Sequence, residues 1–416
     1  MSAKGSEMTQ KRPTVVSVEQ ALSMPYATLR FVHLGWRVIR VEPTPFAGRK
    51  SKGDPNRYIG RSIAGEDRHS YYVAPNVGKE AIALNLKSLE GQAALHTLLD
   101  ELEVDVFCTN TLPSKLAALG IDPATLCEKR PSLIWAGISA MGHDHPKVPG
   151  YDPVMQALCG FMDLTGEANG PPTQCGPPIT DLKAGDEVFA QVMLGLYERS
   201  ISGKGKVIDV SMARCAASWL NTFTPMLEMG SEPDEIRRNG NEHRQFIPTN
   251  AYPTRDGFIY LAIGSDVQWA RLVATDLFAP LRQAAYATNE GRRADKSQLH
   301  ARMAKRTQGE TTAHVTEVLK SAGIPHAPIT PIEEVADLPF VRATQTTTTS
   351  PNGQQIRLPP AAVETDFLRA AQGQLAFAPR YGEHTRTLLH EAGFTETQID
   401  ALVASGMIAG PEDEAS

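Results

Sequence analysis

One aspartate, Asp181, stands in the stretch CGPPITDLKAGDEV (175–188), just before the longest helical pattern of the chain. Aspartate is a common helix N-cap, because its carboxylate accepts hydrogen bonds from the unpaired N–H groups of the first turn. Those N–H groups and the helix dipole also favour the ionised carboxylate. An ionised, buried carboxylate can attack an activated carbonyl. The local sequence favours a cap and leaves a nucleophile open, and Gly185 would let a ligand approach closely.

Basic side chains follow in a turn-rich loop, PFAGRKSKGDPNRYIGR (45–61). Arg49, Lys50, Lys52 and Arg57 could hold phosphate groups, and Lys87 at the end of AIALNLK could add another contact. A solvated loop explains the same residues, and the local sequence alone favours that interpretation.

Other chemistries have less support. His143 and His145 flank Asp144 in HDHP, but no third His or Cys ligand is near, so no metal site is predicted. The chain has no GxSxG elbow for a serine hydrolase. Cys175, close to Asp181, has no neighbouring histidine and is interpreted as inert packing.

The composition limits the partners and the location of the protein. A net charge of −6 over 416 residues gives no bulk attraction to nucleic acid or to an anionic membrane. No apolar run reaches the length of a membrane span, and the polar start, MSAKGSEMTQKRP, has no signal-peptide pattern. Five scattered cysteines without a CxxC pair fit a reducing compartment. A cytoplasmic protein of two or three domains is therefore predicted.

Strand and helix patterns alternate through residue 142. TVVSV (14–18), a helix over 23–35 and WRVIRVE (36–42) form a β-α-β unit, and AIALNL, VDVFCTN and PSLIWAGISAMG continue the series. This order predicts an α/β fold with a Rossmann-like parallel sheet. A GxGxxG fingerprint is missing after the first strand. AYPTRDGFIYLAIG (251–264) indicates a hairpin, and hence a second, smaller α+β domain.

The predicted division of the chain has four parts. Residues 1–205 are predicted to form the start of the large Rossmann-like domain, 206–228 a linker helix region, 229–330 the small domain, and 331–416 a C-terminal segment that returns to the large one.

An ordered set of motifs carries a resemblance to a known family. They are MPYATLRFVHLGWRVIRVE near the start, GDPNR (53–57), NVGKEAIALNLKSLEG (76–91), RPSLIWAGISAMG (130–142), GYDPVMQALCGFMDLTGEANGPP (150–172), PITDLKAG (178–185), GKGKVIDVSM (203–212), RRNGN (237–241), YPTRDGFIYLAIG (252–264), AGIPHAPI (322–329) and GEHT (382–385). Together they resemble the class III CoA-transferases, the family of formyl-CoA transferase and carnitine CoA-transferase, over nearly the whole chain.

The resemblance implies an interlocked homodimer; a hetero-oligomer with a paralogous subunit is the alternative. It also implies that Asp181 is the nucleophile, forming an aspartyl anhydride and then an aspartyl-CoA thioester. Backbone N–H groups near the anhydride would stabilise the oxyanions. Coenzyme A thioesters and carboxylic acids are the implied substrates, and no permanently bound cofactor or metal is needed. Nucleic acid and membrane partners are not expected.

Site residues carry over from the family one at a time. The matching CoA contacts are Arg40, Arg57, Leu84, Lys87, Asn110, Thr111, Ser139 and Met141. In the substrate pocket, Leu22 stands where formyl-CoA transferases have a glutamine, and their glycine-run loop is missing. An acid larger than oxalate is therefore expected, with succinyl-CoA as a family-level hypothesis for the donor.

Three alternatives stay open at this point. The α-methylacyl-CoA racemases share the fold, but they pair the aspartate with a histidine where this chain has Tyr151, a weak acid-base group near neutral pH. A less active subunit of a heteromeric transferase is the second alternative, and the intact PITDLKAG argues against it. A nicotinamide oxidoreductase is suggested only by the topology.

Overall fold

The structure, a computed structural model, describes residues 12–45 and 52–411. The strands within them are β1 (Thr14–Val18), β2 (Arg37–Glu42), β3 (Glu80–Leu84), β4 (Val106–Thr109), β5 (Ile134–Ser139), β6 (Lys206–Ser211), β7 (Thr249–Pro253), β8 (Phe258–Ala262), β9 (His326–Pro328), β10 (Gln345–Thr349), β11 (Gln355–Pro360), β12 (Gln374–Leu375) and β13 (Ile408–Ala409).

The α-helices of the same residues are α1 (Ser23–His33), α2 (Ser70–Asn76), α3 (Leu89–Glu101), α4 (Pro113–Leu116), α5 (Pro123–Lys129), α6 (Asp152–Leu158), α7 (Phe161–Leu164), α8 (Ile179–Ser202), α9 (Met212–Ser218), α10 (Thr224–Glu228), α11 (Pro233–Ile236), α12 (Asp266–Leu272), α13 (Asn289–Ala294), α14 (Lys296–Thr307), α15 (Thr312–Ser321), α16 (Pro339–Arg342), α17 (Asp366–Ala370), α18 (Thr385–Glu391) and α19 (Glu396–Ala404). Short 3-10 turns lie at Pro55–Tyr58, Ala117–Leu119, Trp219–Thr222, Ala279–Leu281, Ala284–Tyr286 and Ile332–Asp337. In the part of the chain that the structure describes, no helix is long and apolar enough to cross a membrane.

Two units divide the chain. Unit 1 contains the described parts of 1–159, 177–219 and 338–416, and unit 2 contains 160–176 and 220–337. This division differs from the predicted one. Residues 160–176, 220–228 and 331–337 belong to unit 2. Strand β6, at the start of the predicted linker region, belongs to the large sheet in unit 1.

The large sheet of unit 1 has the strand order β13-β3-β2-β1-β4-β5-β6. Strands β1 to β6 pair in parallel, and β13 adds an antiparallel edge beside β3. The order 3-2-1-4-5-6 is that of doubly wound sheets, in which the direction of winding reverses between β1 and β4. The prediction of an α/β fold with a large parallel sheet is confirmed.

Successive side chains of each strand point to opposite faces of this sheet, and helices pack against both faces. Val15 and Val16 are adjacent in β1, and their side chains enter opposite hydrophobic clusters. The cluster with Val15 includes residues of α1 and α8, and the cluster with Val16 includes residues of α3 and α18. Strands buried on both faces read as nearly continuous apolar runs, as TVVSV does.

Smaller antiparallel pairings occur in both units. In unit 2, β7 and β8 form the predicted hairpin and β9 extends it, over a core that includes Trp269 and Phe278. In unit 1, β10 and β11 pair antiparallel and β12 joins β10 in parallel. The threonine run at 344–349 therefore contains a strand, β10.

Candidate active site

The segments predicted to contact CoA gather at one edge of the large sheet. Leu84 ends β3, Asn110 and Thr111 follow β4, and Ser139 ends β5 two residues before Met141. Because the carboxyl ends of parallel strands meet at the same edge, these segments border the point where the winding reverses. Open α/β sheets bind their ligands in the crevice outside these strand ends.

Burial separates the members of this group. Leu84 is fully buried and pairs with Ile408 of β13, so its side chain is not accessible to a ligand. The Ser139 hydroxyl accepts a hydrogen bond from the Gly142 amide at 2.9 Å and stabilises the turn after β5. Lys87, after β3, is exposed. Thr111 and Met141 are partly buried.

Arg40 and Arg57 lie inside the protein, contrary to the expectation that they contact phosphates. Both side chains are fully buried. The Arg57 guanidinium donates to Glu42 at 2.5 and 2.9 Å, and that of Arg40 donates to Asp54 at 2.9 Å. Burial raises the pKa of Glu42, but the charges of Arg40 and Arg57 outweigh it and lower this pKa to about 2. These guanidinium groups neutralise buried carboxylates, and their burial argues against a phosphate contact.

Breaking this buried pairing should destabilise unit 1. Arg57→Met leaves Glu42 without the partner at 2.5 Å, and losing one member of a buried ion pair costs about 3–5 kcal/mol. Urea denaturation measures the loss. Arg369→Met is the matched control, because its pairs with Glu364 and Asp366 are exposed to solvent and surface ion pairs add little stability. Equal losses in both variants would contradict the assignment.

Asp181 lies in the first turn of α8, but it does not cap the helix. Helix α8 begins at Ile179, and the N-cap residue is Pro178, which has no side-chain capping bond. Asp181 is thus the third residue of the helix, half-buried in unit 1. The capping interpretation that the local sequence favoured is wrong.

The carboxylate that does hold the start of α8 is Asp152, at the start of α6. Its Oδ1 accepts from the Thr180 amide and the Thr180 hydroxyl, both at 2.7 Å, and from the Asp181 amide at 3.4 Å. Its Oδ2 accepts from Gln156 at 2.7 Å. Since the Thr180 and Asp181 amides are both occupied, neither is free to stabilise an oxyanion. The expectation of oxyanion donors from the backbone therefore has to be met by other amides.

The environment of Asp181 favours its neutral form. Burial and then the nearby charge of Asp152 raise the pKa of Asp181 to about 7, while a hydrogen bond with the Ser23 side chain acts to lower it. Ser23 is the first residue of α1 and is buried. A carboxyl group with a pKa near 7 is ionised in part at physiological pH, and it is then more basic than an ordinary aspartate.

Gly185 serves the contact between α1 and α8. A Cβ at Gly185 would lie 2.8 Å from the carbonyl oxygen of Ser23 and 2.8 Å from the ring of Tyr26. Glycine thus allows α1 to begin close to α8, which brings Ser23 beside Asp181. The expected role of Gly185 in admitting a ligand is replaced by this packing role.

Gly185→Ala should disturb the site more than the fold. The clash with the Ser23 backbone costs about 1–3 kcal/mol, and the gain in helix propensity offsets about 1 kcal/mol of it. We expect a small loss of thermal stability and a lower turnover of the proposed reaction, because Ser23 shifts away from Asp181. Gly309→Ala is the control, since a Cβ there meets no atom within 4 Å. Unchanged turnover in Gly185→Ala would contradict this packing role.

The two predicted pocket residues lie next to these groups in the chain. Leu22 precedes Ser23 and occupies the N-cap position of α1, partly buried. Tyr151 precedes Asp152 and is 71% exposed. A phenol so exposed lacks the enclosed environment of a positioned acid-base partner.

Sequence reasoning missed the roles of Ser23 and Asp152. Asp152-Pro153 is an ordinary helix-start pattern, and nothing local indicates its bond to Thr180, 28 residues later. Of the basic loop, Arg49 and Lys50 lie outside the described residues. A cleft of about 650 Å³ lies at the opposite, amino edge of the sheet, lined by residues such as Trp36 and Arg199 and not by Asp181.

Comparisons with known proteins agree with the fold and identify the family of the chain. The sequence model of the family described as CoA-transferase family III matches residues 13–385. Succinyl-CoA:glutarate CoA-transferase of Homo sapiens is 28% identical, with 97% of this chain and 91% of that enzyme covered. Acetyl-CoA:oxalate CoA-transferase of Acetobacter aceti is 31% identical, covering 79% of this chain and 82% of that enzyme. The crystal structure of a CAIB/BAIF family protein from Brucella suis superposes with a TM-score of 0.78 at 27% identity, covering 91% of this chain and 98% of the other.

Proposed function

The chain belongs to CoA-transferase family III and is an enzyme of that class, and we propose that Asp181 is its covalent nucleophile. The observation that carries the proposal is the placement of a half-buried carboxylate, with a pKa of about 7, at the start of α8. In the same unit, predicted CoA-contact segments border the carboxyl edge of the sheet. The reaction transfers CoA from an acyl-CoA donor to a carboxylic acid acceptor.

The proposed chemistry proceeds in four acyl transfers. The ionised carboxylate attacks the thioester carbonyl of the donor, forming a mixed anhydride and releasing CoA thiolate. The thiolate attacks the aspartyl carbonyl, forming an aspartyl-CoA thioester and releasing the donor acid. The acceptor carboxylate displaces the thiolate to form a second anhydride. The thiolate then attacks the acceptor's acyl carbon, which yields the new CoA thioester and regenerates Asp181.

The environment of Asp181 supports this role on physical grounds. A carboxylate removed from water and placed beside Asp152 is destabilised as an anion, so its reaction to a neutral anhydride relieves that cost. Burial also limits the access of water, which would hydrolyse an anhydride.

Trapping the intermediate tests the nucleophile directly. With an acyl-CoA present, hydroxylamine should convert Asp181 to a hydroxamate, detected by mass spectrometry on the peptide that contains it. Without acyl-CoA, the peptide should stay unmodified. A modified peptide from elsewhere in the chain would rule the assignment out.

The acceptor is proposed to be a carboxylic acid larger than oxalate, with succinyl-CoA as donor. The apolar Leu22 in place of a glutamine supports a less polar pocket, and the similar human enzyme is named for succinyl-CoA and glutarate. The similar Acetobacter enzyme is named for oxalate, so oxalate belongs in the test. A screen of donors against acceptors, with new CoA thioesters identified by mass spectrometry, decides. Oxalate as the best acceptor would overturn the size assignment.

A racemase of the same fold is the second candidate, because a pKa near 7 also suits a general base. The exposed Tyr151 in place of a histidine speaks against it. Incubation of a 2-methylacyl-CoA in deuterated water distinguishes the two, since only a racemase exchanges the α-proton. Deuterium incorporation without CoA transfer would establish the racemase.

The quaternary structure is proposed to be an interlocked homodimer. Apolar side chains on α8 are exposed in the single chain, namely Met193, Leu194, Tyr197 and Ile201, and a second copy would cover them. Native mass spectrometry should give a dimer mass for the purified chain alone. A monomer that dimerises only with a second gene product would favour the hetero-oligomer.

A further inference from the structure

We propose that Asn110 and Ser23 form a hydrogen-bonded relay that orients the carboxylate of Asp181, so that both are positioning residues and Asn110 is not primarily a CoA contact. The inference rests on the proposed function only for its kinetic consequences. The geometry that supports it lies wholly within unit 1.

Asn110, directly after β4, uses its side-chain amide on the neighbouring turn. Its Oδ1 accepts from the Gln20 amide at 3.1 Å, and its Nδ2 donates to the Gln20 carbonyl at 2.7 Å. The same Nδ2 lies 3.4 Å from the hydroxyl of Ser23. An amide side chain offers two donor hydrogens and one acceptor oxygen, so these contacts occupy most of its capacity. Asn110 thereby joins the carboxyl ends of β1 and β4.

The turn between β1 and α1 is held in a conformation that few residues adopt. Ala21 has φ of 60°, the left-handed region that L side chains disfavour. Its amide donates to Asp54 at 3.3 Å, and its carbonyl accepts from Asn56 at 3.2 Å. Such a conformation persists where its surroundings fix it from several sides. The position of Ser23 is therefore set by contacts made before α1 begins.

Ser23 completes the relay toward α8. It is 5% exposed, and the close approach at Gly185 fixes its backbone against α8. A hydroxyl has one donor hydrogen and two acceptor lone pairs, so Ser23 can accept from Asn110 and still donate to Asp181. Asp181 lies one helical turn before Gly185, on the face of α8 that Ser23 approaches. Asp152 is the charged group that opposes it, since its negative charge disfavours ionisation of Asp181. Ser23 therefore stabilises the ionised form that the nucleophile requires.

The first experiment titrates Asp181 without substrate. Isotope-edited infrared spectroscopy of the full chain, with the Asp181→Asn spectrum subtracted, follows its carboxylate band against pH. We expect a midpoint near 7 in the wild type. Loss of a hydrogen bond to a charged group should raise it by roughly one pH unit in Ser23→Ala. Ser23→Thr should restore the midpoint, and Ser200→Ala, which removes a hydroxyl at the far end of α8, should leave it unchanged.

A Ser23→Ala midpoint within about 0.2 of a pH unit of the wild type would overturn the relay. If circular dichroism shows that Ser23→Ala does not fold, Ser23→Cys replaces it, because cysteine has a similar volume and a weaker hydrogen-bond donor. An unshifted midpoint in Ser23→Cys would likewise overturn the relay. The titration needs no transfer activity. The titration can therefore contradict the relay without contradicting the nucleophile assignment, which the hydroxylamine experiment tests separately.

Kinetics separates positioning by Asn110 from binding of CoA. Asn110→Ala should lower kcat by about tenfold and change KM for the acyl-CoA by less than about twofold, because the relay acts on the nucleophile. A raised KM with unchanged kcat would show that Asn110 binds the CoA thioester, and would overturn its place in the relay.

Discussion

Asp181→Asn is expected to lose CoA transfer by at least about 10⁴-fold while the protein folds normally, because an amide cannot form the aspartyl anhydride. Asp181→Ala, which cannot revert by deamidation, should give the same loss. Transfer is measured by mass spectrometry of the new thioester over a long incubation. The acyl-CoA should still bind, because the contacts along the strand ends remain.

The same substitution should stabilise the protein at alkaline pH. The pKa of Asp181 is about 7 in the folded chain against an ordinary 3.8, so the folded state keeps a proton that the unfolded state has released. Stability contributed by the wild-type carboxyl group therefore falls as pH rises from about 4 to about 7 and is constant above. Asp181→Asn removes this cost, and we expect a gain of about 2–4 kcal/mol at pH 8 and none at pH 4.

Asp186→Asn is the matched control for both measurements. It lies on the same helix and pairs with Arg30, away from the relay. It should retain transfer and show no gain in stability at pH 8. If Asp181→Asn kept most of its activity, the nucleophile assignment would be wrong. If its gain in stability over the wild type were no larger at pH 8 than at pH 4, the raised pKa of Asp181 would be wrong.

Strands β1 to β5 of the large sheet were predictable because each carries its own signal, whereas the two-residue β13 carries none. TVVSV and WRVIRVE are short apolar runs on either side of a helical pattern, and parallel strands buried on both faces have that composition. Once the β-α-β order is known, the right-handed crossover limits the topology, and the carboxyl edge becomes the expected place for a ligand. The positions of Asn110 and Ser139 at that edge follow from the order of elements alone.

The burial of Arg40 and Arg57 and their ion pairs could not be predicted from the sequence in this way. Arg40 alternates with apolar residues in β2, and Arg57 lies in a turn-rich segment, so each resembles a surface cation in the sequence. Their burial depends on Glu42 and Asp54, and the decisive distances, 2.5 and 2.9 Å, arise only when the loop folds against the strand. Pairing across such segments is a property of the tertiary structure, which local patterns do not encode.

The helix-cap role that the local sequence indicated for Asp181 was also wrong, because it too depends on tertiary contacts. A Pro-Pro-Ile-Thr-Asp sequence before a helix indicates a cap, yet the acceptor at the start of α8 comes from Asp152, 28 residues away from Thr180. Because that distant carboxylate accepts the amides, the side chain of Asp181 is not needed as a cap and is available for the proposed reaction. The family resemblance predicted the chemical role of Asp181, and the structure supplies a physical reason why the capping role is not needed.

Removing the Asp152 carboxylate should therefore damage both stability and activity. Asp152→Ala removes the buried carboxylate that accepts from the Thr180 amide, the Thr180 hydroxyl and the Gln156 side chain, each at 2.7 Å. Orphaned buried donors cost about 1–3 kcal/mol each, and with partial rearrangement we expect a total of about 3–5 kcal/mol in urea denaturation. Transfer should fall as well, because the first turn of α8 loses the contact that positions Asp181.

Asp152→Asn separates the charge of this residue from its hydrogen bonds. The amide oxygen can still accept from Thr180, and Gln156 can rotate its amide to accept from the new nitrogen, so about 1 kcal/mol or less should be lost. The negative charge that raises the pKa of Asp181 is gone, so this pKa should fall below about 7. The acidic limb of the pH profile of kcat/KM should then move to lower pH in Asp152→Asn. A limb that stays in place would show that burial, and not the charge of Asp152, raises the pKa of Asp181, and that Asp152 acts only through its hydrogen bonds.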